Sequence, residues 1–171
     1  MKRIVALSIL LLAGIGLLQA QKFAFVDTEY ILNNIPAYKA AQDQLDKYSA
    51  ELQKEVENKY TEIDEMYKKF QAEKVLLSDE MKSKREEEII TKEKEVKDLQ
   101  KKYFGNDGTL FKKREELVKP IQDEIYNAVK EIAAEGGFAA IYDTSADASI
   151  LFSDPKYDKS DQVLEKLGYK N

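Results

Sequence analysis

The chain of 171 residues has no cysteine and no histidine. Without cysteine it cannot be stapled by disulfides, so it must be held by packing or by assembly. Thiol and imidazole catalysis are excluded, and so are the usual zinc sites, which draw on Cys and His ligands. A carboxylate-only cation site stays open, and Asp143-Thr-Ser-Ala-Asp147 is the one loop that hints at it. That loop lacks the Gly and the distal Glu of a calcium loop and consists of common turn residues, so it reads as a turn. The same two aspartates are the pair an enzyme would use, but no apolar pocket is evident that would raise the pKa of either. No phosphate-binding glycine loop is present. No enzyme and no cofactor are expected. Glycine and proline are scarce as well, at 7 and 3 residues, and neither occurs from Ala37 to Val75. With 35% of the chain charged, long helices are the expected result.

Lys2 and Arg3 open the chain with positive charge, Ile4 to Leu18 form an apolar stretch, and Leu18-Gln19-Ala20 ends in a small residue. This is the pattern of an export leader, residues 1–20, cut near Ala20. The stretch is too short for a membrane anchor, because at about 1.5 Å per residue it falls short of a roughly 30 Å hydrocarbon core. Losing Lys2 and Arg3 with the leader takes the net charge from −5 to −7. Such an acidic balance argues against nucleic acid, which needs a basic face to neutralise its phosphates.

The rest divides into a body made from both ends, residues 21–36 and 120–171, and a helical arm, residues 37–119. The fold class expected is α+β, a long antiparallel two-helix arm on a small three-stranded β body with flanking helices. Phe23-Ala24-Phe25-Val26 reads as a strand buried on both faces, and Asp27 or Thr28 as the cap of a short helix to Leu32. In the first arm helix apolar side chains recur at Ala41, Leu45, Tyr48, Leu52, Val56, Tyr60, Ile63, Tyr67 and Phe70. Their mean spacing of about 3.6 makes one narrow stripe. The tip is expected near 76–79, with Ser78 or Asp79 capping the return helix. There Ile89, Val96, Tyr103, Leu110 and Leu117 fall at intervals of seven, while Lys92, Asn106 and Lys113 fill the other seam positions. Phe104-Gly-Asn-Asp-Gly108 looks locally like a loop, but the seven-residue spacing runs through it, so a continuous helix weakened there is expected. Gly105, Gly108 and Pro120 are the hinge candidates. Phe138 to Tyr142 and Ile150-Leu151-Phe152 read as two more strands, and Tyr157 to Leu167 as a last helix capped by Asp158 and closed by Gly168. The body-core and oligomer candidates are Phe23, Phe25, Val26, Ile141, Ile150 and Phe152. So small a core, with unpaired strand edges, calls for oligomerisation through the strands.

This order of elements resembles the Skp family, also called OmpH-like, of periplasmic chaperones. The residues that carry it are Lys22-Phe-Ala-Phe-Val-Asp27, the two-helix arm, and Leu117-Val-Lys-Pro-Ile-Gln-Asp-Glu-Ile125. Phe138-Ala-Ala-Ile-Tyr-Asp143, Ile150-Leu-Phe152 and Asp158-Lys-Ser-Asp-Gln-Val-Leu-Glu-Lys-Leu167 complete it. The resemblance implies a homotrimer in the periplasm, with nine strands in a common body and three arms around a cavity. Such proteins hold unfolded outer-membrane proteins without ATP. One departure concerns charge. Members of this family are often basic, whereas residues 37–103 here carry 15 basic and 17 acidic side chains. Steering of anionic partners is therefore expected to be weak, and contact with membrane or lipopolysaccharide stays open. Lys112-Lys113-Arg114 reads as a solvated helix face.

The candidate client contacts are Tyr60, Met66, Tyr67, Phe70, Val75, Leu76, Leu77 and Met81, apolar or aromatic residues near the free end of the arm. For Tyr67 and Phe70 the competing reading is packing within the arm. Leu76 and Leu77 are adjacent and cannot both face the partner helix. The alternative function is a structural envelope protein or hairpin adaptor whose arm docks to a partner.

Overall fold

The computed structural model describes residues 21–145 and 150–169. The expected leader and Asp147 lie outside them. The chain divides into two compact units, one of residues up to 34 together with 124 onward, the other of residues 35–123. No helix among the described residues is long and apolar enough to cross a membrane.

In the first unit, strand β1 (Lys22–Val26) pairs in parallel with β2 (Phe138–Asp143), with Phe25 opposite Tyr142 and Val26 opposite Asp143. Only one face of this sheet is covered. Ala24 and Val26 are buried, together with Ile31 of helix α1 (Thr28–Asn33) and Val163 and Leu164 of helix α5 (Ser160–Lys166). Phe23, Phe25 and Tyr142 share the other face, with ring centroids 6.1 and 6.0 Å apart, and Phe23 and Tyr142 are exposed. The expectation of a strand buried on both faces is thus corrected, because a two-stranded sheet has too little of its own chain to cover the second face.

The third strand is corrected as well. Among the described residues the sheet has two strands, and Ile150, Leu151 and Phe152 belong to none. Leu151 is 95% and Phe152 81% exposed.

Side-chain polar groups pin the covered face. Asp27 caps α1 by accepting from the Tyr30 N–H at 2.9 Å. Asp143, at the end of β2, accepts from the Thr28 N–H at 3.1 Å and from its hydroxyl at 2.5 Å. The buried Ser160 hydroxyl accepts from the Asp27 N–H at 2.8 Å and donates to Asp158 at 2.6 Å. The Lys159 N–H donates to the Phe25 carbonyl at 2.8 Å. The expected cap and start of the last helix are corrected: a 3₁₀ turn, Pro155–Tyr157, comes first, Lys159 takes the capping position while Asp158 accepts from the Ser160 N–H at 2.7 Å, and the helix begins at Ser160. Gly168, at φ 85°, follows it in the left-handed conformation that glycine tolerates.

The second unit is a helical hairpin. Helix α2 (Pro36–Glu73) starts with Pro36, where the missing N–H does no harm. A 3₁₀ turn, Lys74–Leu76, leads to Ser78, whose hydroxyl accepts from the Met81 N–H and caps helix α3 (Asp79–Phe104). Asp79 and Glu80 in its first turn suit the positive end of the helix. The chain then breaks before helix α4 (Thr109–Gly136). The expectation of a continuous helix through Phe104–Gly108 is overturned. The Gly105 N–H closes α3 on the Lys101 carbonyl at 2.8 Å, and the Gly108 N–H turns back to the Gly105 carbonyl at 2.8 Å. Across the break the buried stripe steps forward by one residue. Ile89 and Val96 are buried before it, whereas after it Val118, Ile121, Ile125, Ala128 and Ile132 are buried and Leu110 and Leu117 only half so. Pro120 neither starts nor ends a helix; it lies inside α4.

Candidate client-contact surface

The hairpin is held by a thin seam. Val56, Ile63 and Phe70 of α2 meet Ile89 and Val96 of α3, with Met66, Leu77, Leu99 and Tyr103 packed partly against them. Each helix buries one residue per heptad here, where a coiled coil buries two. Lys92 occupies the place a second seam residue would take, and its ammonium pairs with Glu95 of its own helix at 2.6 Å. Lys59–Glu62 at 2.9 Å and Arg85–Glu88 at 3.5 Å are likewise pairs within one helix. Only weak polar links cross between the helices. The Tyr103 hydroxyl donates to Glu55 at 2.9 Å, the Tyr60 hydroxyl to Gln100 at 3.4 Å, and Lys74 lies 4.0 Å from Glu86. The bond to Glu55 holds the Tyr103 phenol above its usual pKa. Beside the seam, a cavity of about 320 Å³ has a floor of Ile63, Met66, Val96 and Leu99, and one of about 160 Å³ lies among Met66, Phe70 and Ile89. Met66, an adaptable side chain, lines both.

The eight candidate contact residues separate by depth. Phe70 is 4% exposed and belongs to the seam, with Lys74 5.4 Å above its ring. Leu77 packs partly against the same core, and Met66 does so beside the cavities. Tyr60, Tyr67 and Met81 are exposed. Val75 and Leu76, in the 3₁₀ turn, are 91% and 86% exposed. The structure thus resolves the adjacent pair: Leu77 turns inward and Leu76 outward. Ile90 and Phe111 are also exposed and were missed from sequence. The signal was there for Ile90, since its neighbour Ile89 is buried in the seam and two consecutive helical residues cannot both face the partner helix.

Of the body candidates, Val26 is buried, Phe25, Ile141 and Ile150 are half-buried, and Phe23 and Phe152 are exposed. Asp143, raised earlier as a possible ligand or acid, is engaged by Thr28 and by the Ser145 N–H and hydroxyl at 3.0 and 2.8 Å. Partial burial pushes its carboxyl up, but these hydrogen bonds outweigh burial and hold it below the usual range. It is an ionised capping group. Among the described residues no cluster of three acidic side chains is placed to hold a metal ion.

A family model for outer membrane protein (OmpH-like) matches residues 22–167. Chaperone protein Skp of Yersinia enterocolitica is 24% identical over 160 residues, covering 92% of this chain and 93% of that protein. The crystal structure of an OmpH-like protein from Caulobacter crescentus has the same fold, with a TM-score of 0.68 at 12% identity over 86% of this chain and 83% of that one. With nearly the whole described chain inside the family match, this protein belongs to the OmpH-like outer membrane protein family.

Proposed function

We propose that this chain is an ATP-independent periplasmic holdase that binds unfolded outer-membrane proteins and prevents their aggregation. The observation that carries the reading is the hairpin's turn. Val75 and Leu76 stand almost fully exposed there, more open than any other large apolar side chain of the unit, with Met81 and Tyr67 nearby in sequence and exposed too. Apolar groups exposed together, with no core to join, are what a contact surface for another molecule offers. Each such contact is weak, so a client held by several of them is released without an energy source. The family match and the Skp relative favour the same reading.

The holdase works as a homo-oligomer, a trimer in the reading taken from the family. Supporting it are the uncovered aromatic face of Phe23, Phe25 and Tyr142 and the unpaired Leu151 and Phe152. Further copies would cover these groups and supply the missing strand partner. Export follows from the leader, with cleavage after Ala20.

The test is a denatured outer-membrane barrel diluted into buffer with the mature protein and no ATP. Aggregation is followed by light scattering, and the protein's mass is measured in the same buffer. Suppression of scattering by an oligomer is expected. In a Val75→Ser, Leu76→Ser variant suppression should fall severalfold with unchanged mass and melting temperature. A monomer without holding activity would overturn the function, and full suppression by the variant would overturn the assignment of the turn.

A further inference from the structure

We propose that removal of the leader after Ala20 leaves Gln21 as an N-terminal glutamine that closes to pyroglutamate, making this residue a modification site. The inference rests on the leader reading. Gln21 is exposed and stands immediately before β1, whose pairing with β2 begins at Lys22 opposite Phe138. The ring can therefore close without breaking any pair of the sheet. In the closing step the α-amino nitrogen of Gln21 bonds to the Cδ of its own side chain. The bond from Cδ to Nε2 breaks, and Nε2 takes the proton the amine loses and departs as ammonia. No oxidant, reductant or cofactor is needed. The reacting amine must be uncharged, and an N-terminal amine titrates near about 7.7–8.0, so the reactive form is present at neutral pH.

The position of the cut gives the ring its consequence. The new terminal residue adjoins β1 directly, so the body has no spare tail. Removal of Gln21 to Ala24 by an aminopeptidase would take away Ala24, which is wholly buried, and with it most of the strand whose Phe25 carbonyl holds Lys159. Chain termini are where such trimming starts. A lactam presents no free amine, so an exopeptidase that grips one cannot begin. The fold gives up no needed charge in exchange. The cation at the end of α4 is the Lys22 ammonium, 3.4 Å from the Gly136 carbonyl, and this does not depend on the terminal amine.

The full chain, expressed with its leader in a Gram-negative host, is purified from the periplasm and its intact mass is measured at once. The expected mass is that of residues 21–171 less one ammonia. The full mass of residues 21–171 would overturn the cyclisation and leave the leader reading standing. An uncut chain, or any other start, would overturn both. A Gln21→Ser variant should show no loss of ammonia and be shortened by an added aminopeptidase that leaves the parent intact; trimming of both at equal rates would refute the protective role.

Discussion

Alanine at Gly105 or Gly108 should destabilise the hairpin, and the reason is room, not backbone conformation. Gly105 has φ −67° and ψ 169°, a region open to any residue. A Cβ there would lie 2.4 Å from the Lys101 carbonyl oxygen, the atom that accepts the Gly105 N–H at 2.8 Å. At Gly108 it would lie 2.7 Å from the Tyr103 oxygen and 2.9 Å from those of Gly105 and Lys102. These obstacles are backbone atoms and cannot swing aside like a side-chain end. Overpacking of this kind costs about 1–3 kcal/mol, and loss of the Gly105 hydrogen bond adds about 1 kcal/mol. The chain has one escape, which is to become helical through the break, where alanine is favoured over glycine by about 1 kcal/mol per residue. That route removes the one-residue step in the buried stripe and turns the α4 face by about 100°. Val118, Ile121, Ile125 and Ile132, all buried, would then lose part of about 1.5–3 kcal/mol each. Each single variant should therefore lose about 2 kcal/mol in urea denaturation followed by far-ultraviolet circular dichroism. A double variant more helical and no less stable than the parent would refute both the clash and the phase argument.

Two further outcomes follow from charge. Asp143 has its folded pKa lowered by Thr28 and Ser145 against the opposing effect of burial, so its stabilisation is present above the unfolded value near about 3.9 and lost as pH falls through the lower folded value. Asp143→Asn should cost about 1 kcal/mol at neutral pH, as removal of a helix cap does, and the gap to the parent should close as the pH falls below about 4. A gap that persists in acid would show that the carboxylate's charge contributes nothing. With 15 basic and 17 acidic residues over 37–103, the rate of client capture should stay within about twofold between roughly 0.05 and 0.5 M salt. A tenfold fall measured by stopped-flow fluorescence would mean that charge steers the encounter.

The sequence made most legible what is fixed by neighbours. Asp27 before α1, Pro36 at the start of α2, Ser78 before α3 and Gly168 after α5 are all local signals, and each element begins or ends beside them. The break at Gly105–Gly108 was hidden by an even spacing of seven through Leu110 and Leu117. These two residues are half-buried, while Val118 and Ile121 take the inward face, and a step of one residue cannot be seen where both neighbours are apolar. Ile150–Phe152 has the composition of a strand, but pairing is not a property of composition. In the hairpin, Tyr67 and Phe70 both lie on the apolar stripe, and only depth, which periodicity does not report, puts Phe70 inside and Tyr67 outside.

Depth also explains why the turn, more than the seam, bears on function. Phe70, Ile63 and Val96 are engaged in holding two helices that offer each other one buried residue per heptad, so none of them can be withdrawn to meet a client without opening the hairpin. Val75 and Leu76 contribute nothing to that seam, since with 91% and 86% of their surface open they touch almost none of it. Serine at both positions should leave unfolding unchanged within about 0.5 kcal/mol, the range of surface substitutions, while a Phe70→Ala change should cost about 3 kcal/mol, the low end for a buried Phe where adjoining cavities let the site relax. Residues that can be lost without harm to the fold, yet whose loss weakens holding severalfold, would separate gripping from standing. If serine at the turn destabilised the hairpin as much as alanine at Phe70, the turn would be part of the scaffold and the contact surface would have to lie elsewhere.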